Sequence, residues 1–77
     1  MLIDRGHLAA VLRQMLSDHI EPPPNNSDLL EIDSFTLVTL AEEIEERFGF
    51  QVAAKDMAPE NFGTLDQLAD YVERQGK

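Results

Sequence analysis

Seventy-seven residues without a cysteine allow one compact domain, expected across residues 1–77, and leave neither room for a deep enzymatic cleft nor a disulfide or thiolate metal site to supplement the core. Fifteen acidic residues against six basic ones give a formal net charge of −9, which repels nucleic-acid phosphates and anionic lipid and favours encounter with basic protein surfaces, unless it serves solubility alone. Asp4, Arg5 and His7 interrupt the first turns and no apolar run is long enough to span a bilayer, so the chain is expected to lack a secretory signal and a membrane segment and to be cytoplasmic.

Leu8, Val11, Leu12 and Met15 recur at helical spacing, with Ile3 one turn earlier and Leu16 beside the stripe. This predicts a first helix that starts with Asp4 as a cap, or somewhat later because Gly6 weakens the first turn, and ends near His19. His7 and His19 lack the companions of a metal site and are expected at the surface or at a helix end. Residues 20–33 hold Pro22, Pro23, Pro24, Asn25 and Asn26, which predict a long loop, with Leu29, Leu30 and Ile32 pinning it over the bundle.

A second helix is predicted to begin at Ser34 or Phe35 and to end at Phe48, where Gly49 supplies a left-handed stop. Leu37, Leu40, Ala41, Ile44 and Phe48 form its core stripe. Phe35 and Val38 lie to one side of it, and Thr39, Glu42, Glu43, Glu45 and Glu46 face water or a partner. Phe50 and Val52 return to the core, and Ala53, Ala54 and Met57 lead into a short third helix in which Asp56 caps a turn containing Pro59. Thr64 and Gln67 form a capping-box pattern before Leu65, Leu68, Ala69 and Val72, with Tyr71 at the core or its margin. No segment alternates for long enough to found a sheet. The fold class is all-α, a bundle of three main helices plus a short one.

Asp33, Ser34 and Phe35 place an acid, a hydroxyl and an apolar residue where the loop becomes the second helix. A phosphodiester on Ser34 would meet unpaired backbone N–H groups and the positive end of the helix dipole. The competing role for Ser34 is a helix cap, a task Asp33 performs equally well if it stands one residue before the helix. A catalytic serine would need a positioned base and an oxyanion site, and no nucleophile-elbow pattern surrounds Ser34.

This layout resembles the acyl and peptidyl carrier proteins, which bear phosphopantetheine on the serine of an Asp-Ser-Leu pattern. Phe35 stands here for the leucine, and Glu31 and Ile32 precede Asp33 where many carriers have a nearby glycine. The resemblance covers most of the chain: an N-terminal helix, a long loop, the Asp33–Ser34 junction, an acidic helix ending in Phe48 and Gly49, and a last helix. It implies an acyl-carrier-protein-like bundle with 4'-phosphopantetheine, donated by coenzyme A, on Ser34. Asp33 would present the serine, and Phe35, Val38, Glu42 and Glu46 would form the recognition surface on the second helix. The implied partners are a phosphopantetheinyl transferase, an acyl- or aminoacyl-loading ligase and a downstream transferase or synthase, all meeting a monomer that is not itself a catalyst. Pro59, Glu60, Asn61 and Phe62 look like some stand-alone carriers of specialised pathways, which favours a short acyl or aminoacyl cargo. The alternatives are an unmodified acidic interaction module in which Ser34 only caps a helix, and a small hydrolase using Ser34.

Overall fold

Asp4 opens the first helix in the computed structural model, which describes residues 4–75; Ile3 lies outside them. Helix α1 (Arg5–Ser17) begins where the Asp4 carboxylate accepts the His7 N–H at 3.2 Å, satisfying a first-turn amide. It buries Leu8, Leu12, Met15 and Leu16, with Val11 packed at the edge of the core. Its last turn unwinds through bonds from the Asp18, His19 and Ile20 amides to the carbonyls of Met15 and Leu16.

Helix α2 (Ser34–Phe48) buries Leu40, Ala41 and Ile44 and lays Leu37 and Phe48 against the same core. Gly49 ends it with φ 80°, its N–H bonded to the Glu45 carbonyl at 2.9 Å. A single 3-10 turn (Ala54–Asp56) follows, then α3 (Pro59–Phe62), with Pro59 in the first helical position, where no amide hydrogen is needed. Helix α4 (Leu65–Gln75) buries Leu65, Leu68, Ala69, Tyr71 and Val72, and Thr64 Oγ1 accepts the Gln67 N–H at 3.1 Å. Gly63 lets α3 and α4 meet, since a Cβ there would collide with the Pro59 carbonyl. The described residues contain no strand, and the helices form an all-α bundle of three longer helices and a short one.

The packing is centred on α1 and α4, which share the most extensive contact, while α2 touches α1 along a narrower seam. Arg5 reinforces the first pair. It makes ion pairs of 2.8 Å with both Asp70 and Glu73 and donates to the Asp66 carbonyl at 2.9 Å. His19 Nε2 lies 3.1 and 3.2 Å from the two Glu43 oxygens and spans the weaker α1–α2 seam.

Two sequence expectations fail for local reasons. Asp56 does not cap α3, whose first residue is preceded by Ala58 with no side-chain bond. Its carboxylate instead accepts the Tyr71 hydroxyl at 2.9 Å, and its carbonyl accepts Asn61 Nδ2 at 2.9 Å. Tyr71 is 2% exposed, wedged between Phe50 and Phe62, and a buried phenol needs an acceptor more than α3 needs a cap.

Leu29, expected to pin the loop, is 78% exposed. Its backbone pairs with Thr64 in an isolated antiparallel bridge, and alternation along the extended stretch then turns Leu30 and Ile32 inward and Leu29 and Glu31 outward. Leu30 and Ile32 thus pin the loop to the core as expected, and polar bonds add to them. Arg13 donates to the Pro23 carbonyl and, at 2.7 Å, to Asn26 Oδ1; Leu30 N–H donates to the Gly63 carbonyl at 2.8 Å. The Asn26 carbonyl accepts the Asp66 N–H at 3.0 Å, so the loop satisfies an amide that the first turn of α4 cannot bond internally.

Candidate functional site: the start of helix α2

The loop delivers Asp33 in an extended conformation, φ −79° and ψ 170°, immediately before the first residue of α2. Asp33 Oδ1 accepts the Thr36 N–H at 2.8 Å, and the Asp33 carbonyl accepts the Leu37 N–H at 2.9 Å. Asp33 is therefore the cap. The Thr36 amide holds its carboxyl below the ordinary carboxylate range by stabilising the charged form.

Ser34 is thereby released from the capping task and stands exposed as the first residue of the helix. Amides in the first turn have no intrahelical acceptor, and the dipole presents its positive end there. Exposure of Ser34 leaves room for a phosphodiester on its oxygen without displacing a packed neighbour, and the exposed amide end suits the charge such a group carries. The residues present fit a phosphorylated prosthetic arm.

Beyond Ser34, Phe35, Val38, Glu42 and Glu46 follow at steps of three and four and share one side of α2. Phe35 is 82% and Val38 46% exposed, and Glu42 and Glu46 are exposed as well. The two remaining glutamates of the acidic run act within the fold. Glu43 faces His19, and Glu45 Oε2 accepts the Val52 N–H at 2.7 Å, which fastens the chain after Gly49 back onto α2. Nothing in the local pattern marks Glu45 as different from Glu46. Its role depends on where the chain goes after the left-handed stop.

His7 lies exposed in the first turn of α1, and His19 is engaged with Glu43 on the α1–α2 seam. The structure does not bring a histidine into a hydrogen bond with Ser34 among the described residues. The groove lined by Met15, Asp18, Glu43, Glu46 and Arg47 runs beside the later turns of α2. At 1.5 Å per residue, Glu43 lies about 14 Å along the helix from Ser34, so the groove is separate from the junction.

No solved structure matches the chain. A family model described as the phosphopantetheine attachment site matches residues 7–72, which include all of α2, the whole connecting loop and most of α1 and α4. That match over most of an all-α bundle places the chain in the phosphopantetheine attachment-site family: it is a carrier of the acyl and peptidyl carrier type, and its cofactor is covalently bound 4'-phosphopantetheine.

Proposed function

We propose that the arm is esterified to Ser34 Oγ and that the chain is a discrete carrier shuttling thioester-linked acyl or aminoacyl groups between separate enzymes. The supporting observation is the division of labour at the junction: Asp33 alone caps α2, leaving the adjacent Ser34 hydroxyl exposed at the helix N-terminus. The arm, once bound, supplies the thiol that a chain without cysteine lacks.

The remaining roles belong to the protein's own residues. Asp33 fixes the start of the helix and so the position of Ser34 Oγ. In the loading step a phosphopantetheinyl transferase directs that oxygen onto the pyrophosphate of coenzyme A; the Ser34 proton passes to the transferase and the nucleotide leaves. Phe35 and Val38 offer apolar contact beside the reacting oxygen. Glu42 and Glu46 steer basic partners, a role in rate and register more than in affinity, because exposed ion pairs contribute only about 0–1 kcal/mol. A loading ligase and a downstream transferase or synthase meet the same face in turn, with a short acyl or aminoacyl group as the cargo and a monomer as the working form.

The test is incubation of the native chain and Ser34→Ala with coenzyme A and a broad-specificity phosphopantetheinyl transferase, followed by intact-mass measurement. A cofactor-sized gain is expected in the native chain alone, with equal thermal stability of the two proteins. Loading of Ser34→Ala would move the attachment elsewhere. Absence of loading on a folded native chain would favour an unmodified interaction module.

A further inference from the structure

Among the described residues three large apolar side chains are exposed: Phe35 and Val38 on α2, and Leu29 on the loop. The first two belong to the recognition face already described. Leu29 has no part in the core, yet the chain around it is held more firmly than a long loop ordinarily is. The bridge to Thr64, made through the Leu30 bond to the Gly63 carbonyl, holds the chain just after it, and Arg13 holds the chain before it through the Pro23 carbonyl and the Asn26 side chain. A leucine presented to water on a fixed backbone loses little further freedom when covered, which is the condition under which an apolar contact contributes most to binding.

Its distance from Ser34 is bounded by the chain. Five residues span at most about 18 Å even when fully extended. A standard protein–protein interface covers about 800 Å² on each partner, a disc roughly 16 Å in radius. The bound is comparable to that radius, so Leu29 is close enough for an enzyme that closes its active site over Ser34 Oγ to cover it at the rim of its footprint.

The charge around the patch selects among occupants. Glu31 and Asp33 stand exposed between Leu29 and Phe35, and Glu42 and Glu46 continue the acidic rim along α2. A second copy docked on the same face would set these carboxylates against their counterparts, with a formal charge of −9 on each chain, and anionic lipid is repelled in the same way. An apolar pocket ringed by lysine or arginine is complementary to it.

We infer that Leu29 is a second apolar anchor for the enzyme that loads Ser34, entering an apolar pocket with a basic rim on the opposite side of the serine from Phe35 and Val38 in the sequence. This rests on Ser34 being the loaded residue. It makes the docking surface two-part, with one portion on α2 and one on the clasped loop.

The experiment is steady-state loading by the same broad-specificity phosphopantetheinyl transferase with coenzyme A, at varied carrier concentration and two ionic strengths. Leu29→Ser is expected to raise KM for the carrier about tenfold with kcat little changed, and Leu29→Met to stay near the native value. Native KM should rise with salt, and the Tm of Leu29→Ser should equal that of the native chain. Equal KM for the native chain and Leu29→Ser would remove the anchor and leave the Ser34 assignment standing. A salt-independent KM would overturn the basic rim, and a fall in Tm matching the rise in KM would make Leu29 a structural residue. Failure of the native chain to load would remove this inference and the Ser34 reading together.

Discussion

Tyr71 is the only tyrosine in the chain, which has no tryptophan, so its optical signal reports on one buried hydroxyl. Burial pushes this phenol up to about 12, and the bond to the Asp56 carboxylate adds to the shift. Below the ordinary phenol value of about 10, folded and unfolded chains both keep the proton and the contribution to stability is complete. Above it the unfolded chain releases its proton first, and that contribution is lost as pH rises through 12. Tyrosinate absorbance of the folded protein should accordingly have a midpoint well above that of free tyrosine, and Tyr71→Phe should flatten the loss of stability between pH 10 and 12. The same variant should cost about 1 kcal/mol in denaturant unfolding at neutral pH. A folded-state midpoint near 10 would contradict the buried bond. Asp33 has the opposite sign: its depressed carboxyl supports the start of α2 above the ordinary carboxylate range, and that support fades as the medium becomes acid. The junction of Asp33 and Ser34 was legible in the sequence because capping is a local event among neighbouring residues. The partners of Glu45, Asp56 and Leu29 were not, since each is set by a chain segment arriving from elsewhere.

At the scale of the element, α2 was readable from end to end. Its apolar residues repeat with the period of the helix, Gly49 marks the stop, and the residues off the core stripe include those left exposed beside Ser34. Helices α1 and α4 were readable for the same reason, through Asp4 and Thr64 at their starts and the leucine spacing within. The segment between α2 and α4 was harder. Its one 3-10 turn and one short helix carry too few residues for a period, and they are held by side-chain bonds to Tyr71 and Arg74 from α4. Gly49 lends itself to an element-scale test because its φ of 80° is strained for any residue with a Cβ, even though the space beside it is open. Gly49→Ala should lower stability by about 1 kcal/mol in denaturant melts, through the backbone and without a clash. Loading at the far end of the helix should be unchanged in the same protein. A variant as stable as the native chain would mean that the helix can end in another way.

Across the whole molecule, an α1–α4 pair carries a third helix along a narrower seam, and the long loop is tied to the turn between α3 and α4 as well as to α1. The all-α class followed from the sequence; the clasp on the loop did not, because Arg13 and Asn26 look like any exposed polar residues until the chain closes around them. The clasp also has a consequence for how the molecule opens. The amides of Leu30 and Asp66 both lie outside the regular helical ladders, yet each is bonded, the first from the loop to the turn before α4 and the second from the first turn of α4 back to the loop. They should therefore behave as members of one opening unit, exchanging their hydrogens with solvent slowly and at a common rate set by α4. Arg13→Met should quicken both together while leaving the middle of α1 protected, and independent rates would show that the loop breathes by itself. In kinetic terms, the segment leading to Ser34 should then have the lifetime of the C-terminal helix and not that of a free surface loop.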